Sequence, residues 1–234
     1  MLIKCNKHTK EDLELWESYN EADIIYYNMH DMKEKEKRAV DLIKKINPDY
    51  VSISWGKDST VLAHLCYKSG HFNYVWFRNQ YENPYCYMVK DIYIKKYNIN
   101  NFEIFKKVSL ENIKNDFINF HSLKCHKIAE KKFGKKYMTG IRIEESGIRK
   151  VTILKNGIYS NNRSSPIAFW KNEDIFAYLA FYKLPVHPNY AMLGGGRYNR
   201  KNIRVGPLTM ASQFGQKQWE KEYYFNEINK INAI

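Results

Sequence analysis

Between Asp49 and Ile141 short strand-like runs alternate with amphipathic helical stripes, and that alternation leaves few architectures open. Asp49-Tyr50-Val51-Ser52-Ile53-Ser54 reads as a strand between Pro48 and Gly56. From Asp58 to Ser69 the apolar Val61, Leu62, Leu65 and Cys66 recur at helical spacing, with Gly70 as the stop. Tyr74-Val75-Trp76-Phe77 is a second strand. Asn83 and Pro84 then open a helix with Met88, Val89, Ile92 and Tyr93 on one face. Phe102 to Phe105 and Tyr137 to Ile141 supply two more strands, and helices are expected over 33–46 and 170–184. Strands alternating with helices pair in parallel through crossovers. The expected fold is therefore α/β: an open, mainly parallel sheet with helices on both faces, in three Rossmann-like layers. Residues 185–209, punctuated by Pro and Gly, predict an irregular segment of the kind that acts as a lid or binding loop.

Open parallel sheets bind ligands beyond the carboxyl ends of their strands, where helix N-termini present N–H groups and a positive dipole end to anions. Ser54-Trp55-Gly56-Lys57-Asp58-Ser59-Thr60 occupies that place after the first strand. Gly56 permits close backbone approach, Ser54, Ser59 and Thr60 carry hydroxyls, and Lys57 adds a charge. The spacing is not that of a Walker loop. Spacing alone leaves two readings, a phosphate site or a helix capped by Asp58.

This segment resembles the PP-loop of the ATP pyrophosphatase (adenine nucleotide alpha hydrolase) superfamily, whose signature usually reads Ser-Gly-Gly-x-Asp-Ser. Trp55 departs from that signature and is expected to narrow the pocket. Further segments are similar, in order, to the phosphoadenosine phosphosulfate (PAPS) reductase-like family. These are Asn79-Gln80-Tyr81-Glu82-Asn83-Pro84, Thr139-Gly140-Ile141-Arg142 through Glu145-Ser146 to Arg149, Ser165-Pro166-Ile167 through Trp170 to Glu173-Asp174-Ile175, and Leu184-Pro185 to His187-Pro188-Asn189-Tyr190. The resemblance implies an adenine nucleotide alpha hydrolase-like domain over residues 1–190 with a helical lead-in. Residues 191–234 would be a basic Gly-rich loop and a C-terminal helix packed on it.

The resemblance also implies roles. Lys57, Asp58, Arg142 and Arg149 would be catalytic. Ser54, Trp55, Gly56, Ser59, Thr60, Gly140 and Glu145 would bind the nucleotide, either ATP or PAPS. Asp58 would hold Mg²⁺, and Arg197, Arg200 and Arg204 would form a substrate-facing lid. PAPS reductases attack with a thiolate near the C-terminus, whereas the last cysteine here is Cys125. An unaltered Gly-Lys-Asp-Ser instead favours cleavage of ATP between the α and β phosphates to adenylate an acceptor. Cys125 lies beside Lys124 and His126, which would lower its pKa; packing is the competing reading for it and for His187.

Charge suggests partners. The chain holds 38 Lys+Arg against 25 Asp+Glu, a net +13, and residues 175–219 contain six basic residues and no acid. An AT-rich coding sequence also enriches Lys, Asn, Ile and Tyr, but this uneven distribution favours a polyanionic partner. Adenine nucleotide, nucleic acid gripped by 121–136 and 197–204 with Tyr190 and Tyr198 stacking on bases, and a sulfur-donor or modification-system protein are the partners expected. Four cysteines without a CxxC pair argue against a zinc ribbon or disulfide scaffold. No signal-peptide pattern and no apolar run of roughly 18 residues appear, so a cytoplasmic protein without a membrane partner is expected.

Overall fold

The computed structural model describes residues 1–71, 73–107, 117–208 and 217–232. Its strands are β1 (Tyr50–Ile53), β2 (Tyr74–Arg78), β3 (Asn101–Phe105), β4 (Tyr137–Met138), β5 (Tyr159–Ser160) and β6 (Arg163–Ser164). They form one six-stranded sheet in the order β3-β2-β1-β4-β6-β5, parallel throughout except for the β5–β6 pair. Consecutive strands step outward from β1 to β3, and the chain then returns to place β4 on the other side of β1. The order reverses at β1, which creates the crevice where open sheets of this kind take ligands.

Both faces of the sheet are covered because side chains alternate along each strand. Val51, Ile53, Tyr74 and Trp76 enter the main core. That core also receives α1 (Lys10–Met29), α2 (Met32–Ile46), α3 (Lys57–Ser69), α4 (Tyr85–Tyr97) and, further along the chain, Asn172–Phe181. Tyr50, Val75 and Ile104 point the other way, onto Cys125 and Ala129 of α5 (Phe117–Phe133). Among the described residues no helix is long and apolar enough to cross a membrane.

Several boundaries differ from expectation for identifiable reasons. The strand expected over 137–141 ends at Met138, and residues 139–142 leave the sheet to reach the crevice. In α4 burial falls on Cys86, Val89 and Tyr93, while Met88 is exposed. The remaining helices are α6 (Gly147–Asn156), α7 (Asn172–Phe181) and α8 (Lys217–Asn232). α6 buries only Ile153 and exposes Ile148, Val151 and Leu154, so its pattern carries no inward stripe.

Residues 185–193 are buried rather than lid-like. The Gly-rich loop is a fixed turn in which Gly194, Gly195 and Gly196 take φ of 57°, 62° and 99°. Leu193 and Gly195 donate N–H bonds to Asp12 Oδ1 at 3.1 and 3.0 Å, and Gly194 donates to the Tyr223 hydroxyl at 2.8 Å. Asp12 therefore stands in α1 as the anchor of a backbone turn from the far end of the sequence. α8 is tied to the same region by Trp219 Nε1, which donates to Met192 O at 2.8 Å. Of the expected C-terminal segment, 209–216 and 233–234 lie outside the described residues.

Candidate active site

The loop after β1 is shaped for close approach. Trp55 has φ of +60°, a conformation that favours glycine, and the signature this loop resembles has glycine there. Its side chain turns away from the crevice into the core, 5.5 Å from the Tyr93 ring, so Trp55 does not narrow the pocket. Gly56, not Asp58, is the N-cap residue of α3. A Cβ on Gly56 would stand 3.3 Å from the Tyr190 hydroxyl, which accepts the Lys57 N–H at 3.0 Å. Ser59 Oγ donates to Gly56 O at 3.1 Å and accepts from Ser54 N at 3.3 Å, which closes the loop on itself. Thr60, in the first turn of α3, is buried and lies outside the cavity lining.

Across the crevice Gly140 packs against the first turn of α3. A Cβ at Gly140 would meet Asp58 C and O at 3.0 Å and Ser59 N at 3.1 Å. These are backbone atoms and yield little. Gly140→Ala is therefore expected to cost about 1–3 kcal/mol of stability by overpacking, measured by urea unfolding. An unchanged midpoint would show that the two segments can separate freely.

Asp58 is the centre of the charge arrangement. Its Oδ1 accepts Arg142 Nε at 2.6 Å, and its Oδ2 lies 3.2 Å from Lys57 Nζ. Burial pushes the Asp58 carboxyl up, but the Lys57 and Arg142 charges outweigh burial and hold it below the ordinary carboxylate range. Arg142 is fully buried and fully committed. Nη1 donates to Trp170 O and Nη2 to Asn172 Oδ1, both at 2.9 Å. Glu144 in turn holds Asn172 through its backbone N–H at 2.7 Å. Arg142, expected to be catalytic, borders the cavity, and its guanidinium positions Asp58 and joins the β4 end to α7.

Arg149 does line the cavity, half-exposed and paired with Glu145, which lies just before the Ser146 N-cap of α6. A pair with one half-exposed member adds little stability, about 0–1 kcal/mol, and Glu145 also accepts the Arg142 N–H at 2.7 Å. The Lys57 ammonium, nearly buried, sits 5.3 Å from the Tyr190 ring centroid. Together these groups border a cavity of about 770 Å³, within the size range of small-molecule sites. Its other side is formed by β2 and the turn after it, including Asn79 and Glu82, and Leu208 N donates to Tyr81 O at 3.0 Å to hold residues 205–208 against that turn.

The basic loop is largely neutralised within the chain. Arg200 is buried in a two-pronged bond to Asp23, with Nη1 at 2.7 Å and Nη2 at 2.6 Å, and lies 4.2 Å from the Phe176 ring centroid. Arg197 pairs with Glu222 at 2.6 Å, and Lys201 pairs with Glu173. Arg204 and Lys201 border the cavity, whereas Arg197 and Arg200 do not. Tyr190 is buried, so its ring is not presented for base stacking as expected, while the half-buried Tyr198 donates to Glu222 at 2.7 Å. No three His, Cys, Asp or Glu side chains converge as a metal site among the described residues. With both Asp58 oxygens engaged by cations, the donor set does not fit the expected Mg²⁺ site there.

All four cysteines lie outside the cavity lining. Cys125 is buried against Tyr50 and Val75, and burial raises its thiol pKa, opposite to the expected lowering. His187 is buried, its pKa lowered to about 3 by burial, and its Nδ1 accepts the Asn189 N–H at 3.2 Å, which is a packing role. Asn172 and Glu82 line the cavity without having been singled out from the sequence, and Tyr190, read there only as a base-stacking ring, lines it too. Tyr190 falls inside a recognised segment but its hydroxyl's role at the α3 terminus has no sequence signal.

Residues 49–193 match the family described as the phosphoadenosine phosphosulfate reductase domain. No curated protein matches the sequence. Among solved structures, the PAPS reductase from Candida auris, a phosphate complex, is 14% identical with a TM-score of 0.48, over 67% of this chain and 87% of that one. The U34-tRNA thiolase NcsA from Methanococcus maripaludis, with its 4Fe–4S cluster, is 12% identical with a TM-score of 0.48, over 82% and 75%. The NMN synthetase from Francisella tularensis is 11% identical with a TM-score of 0.45, over 82% and 96%.

Proposed function

The chain belongs to the phosphoadenosine phosphosulfate reductase domain family, and on that premise we propose that its cavity binds an adenine nucleotide and cleaves ATP between the α and β phosphates. The adenylated product would be an acceptor in sulfur-transfer or nucleic-acid modification chemistry. One observation carries the choice over PAPS reduction. Reduction of PAPS by a thiol needs a thiolate at the substrate sulfur, and none of Cys5, Cys66, Cys86 and Cys125 lines the cavity.

The phosphates lie over the N-terminus of α3, where the dipole and Lys57 meet negative charge. Lys57 stabilises the charge that grows on the departing pyrophosphate. Asp58 orients the Lys57 ammonium, and Arg142 fixes Asp58 from behind. Arg149 exchanges Glu145 for a phosphate oxygen, which its planar fork engages in two-pronged fashion. Mg²⁺ arrives with ATP as part of the substrate.

The test is substrate choice. Supplied with PAPS and a dithiol reductant, the protein is expected to release no sulfite. Sulfite release that disappears in Cys5→Ser or Cys125→Ser would restore the reductase reading. Supplied with ATP and Mg²⁺, with and without nucleic acid, it is expected to form AMP.

A further inference from the structure

The turn after β2 holds a carboxyl group that the phosphate-binding residues do not use. Glu82 lines the cavity with Asn79, and Trp76 and Phe77 of β2 border the same side. β2 and β4 flank β1 on opposite sides, so this region lies across β1 from Arg142 and Arg149. Glu82 Oε1 accepts one long bond, from the Asn79 N–H at 3.4 Å. The guanidinium nearest in sequence, Arg78, is taken by Glu103 at 2.5 Å. Among the described residues Glu82 has no ion-pair partner. A carboxyl group in such surroundings is a better hydrogen-bond donor and acceptor than a charge.

We propose that Glu82, as a neutral acid, reads the Watson–Crick edge of adenine, its O–H donating to N1 and its carbonyl oxygen accepting from the N6 amino group. This rests on the adenine-nucleotide reading of the cavity. Adenine presents one acceptor beside one donor, which a protonated carboxyl matches and an ionised one does not. Guanine presents N1–H and N2–H donors on the same edge, which suit the ionised carboxylate. Burial pushes the Glu82 carboxyl up to about 7, with the Asn79 N–H and the Arg78 charge offsetting it only in part. The acid is thus present below neutrality and lost above it.

Other titratable groups lie beside Glu82 or border the cavity. Arg78 and Cys86 flank Glu82 on its own segment, and burial raises Cys86 well above its usual value. From other elements come Lys57 and Asp58, Tyr190, Arg142, Glu144, Glu145 and Arg149, and Lys201 with Arg204. Tyr190 is raised by burial and Asp58 is held low, so neither changes charge near neutrality.

The test is the ratio of ATP to GTP affinity from pH 6 to 8.5, measured by equilibrium dialysis. The terminal phosphates titrate alike in both nucleotides, so the ratio isolates the base. For the parent protein the ratio should fall by up to about tenfold per pH unit across this range, because ATP loses and GTP gains the form of Glu82 that suits it. In Glu82→Gln, whose amide supplies the same donor and acceptor, the ratio should stay high and flat. A flat ratio in the parent protein would overturn the proposal with no variant needed. So would a folded Glu82→Gln protein that binds ATP much more weakly at pH 6, which would mark an ionised carboxylate holding the ribose. Absence of binding by either nucleotide at any pH would overturn the nucleotide reading itself, and this inference with it.

Discussion

Arg142→Ala should lower the unfolding free energy by about 3–5 kcal/mol, the usual cost of removing one partner from a buried ion pair. The guanidinium is fully buried, and its loss also leaves Trp170 O and Asn172 without their donors. That is a large share of the roughly 5–15 kcal/mol that holds a domain together. The pH dependence should change as well. Asp58 has a folded-state pKa below its ordinary value, so its contribution to stability is full at neutral pH and is lost as pH falls through that depressed value. Without Arg142 the carboxyl loses one of the two charges that depress it, and acid unfolding should begin at higher pH. Urea titrations at pH 7 and pH 4 measure both effects. A loss under about 1 kcal/mol would mean that Arg142 is not the brace its contacts describe.

The mainly parallel sheet and the place of the crevice were legible from the alternation of strands and helices, because strands joined by crossover helices pair in parallel; the order of the strands and the antiparallel β5–β6 pair were not. The loop Ser54–Ser59 was legible for the same reason, since it falls between the first strand and its helix. α1 was foreseen only as helical lead-in. Its buried positions are Asp12, Trp16, Asp23 and Tyr27, so half its inward face consists of carboxylates. Those carboxylates are there to hold the 193–195 turn and Arg200, contacts from the far end of the chain. The same pairing explains why the 197–204 segment looked like an open basic surface. Its acidic partners, Asp23, Glu173 and Glu222, are distant in sequence and become neighbours only through the fold. Arg142 borders the cavity, but its engagement with Asp58 depends on how closely Gly140 lets two backbones approach, which no sequence pattern shows.

Lys57→Ala should reduce ATP turnover by about 10²–10³, since loss of one donor aimed at developing charge removes about 2.7–4 kcal/mol of transition-state stabilisation. The effect should appear in kcat more than in KM, because Arg149 and the α3 terminus still hold the phosphates. The bond that breaks is read directly by ATP labelled separately at the α and γ phosphates, with Mg²⁺ present and nucleic acid added or withheld. α-Label in AMP and γ-label in pyrophosphate, both suppressed in Lys57→Ala, is the predicted result; α-label in ADP with γ-label in free phosphate, or full turnover in Lys57→Ala, would contradict it.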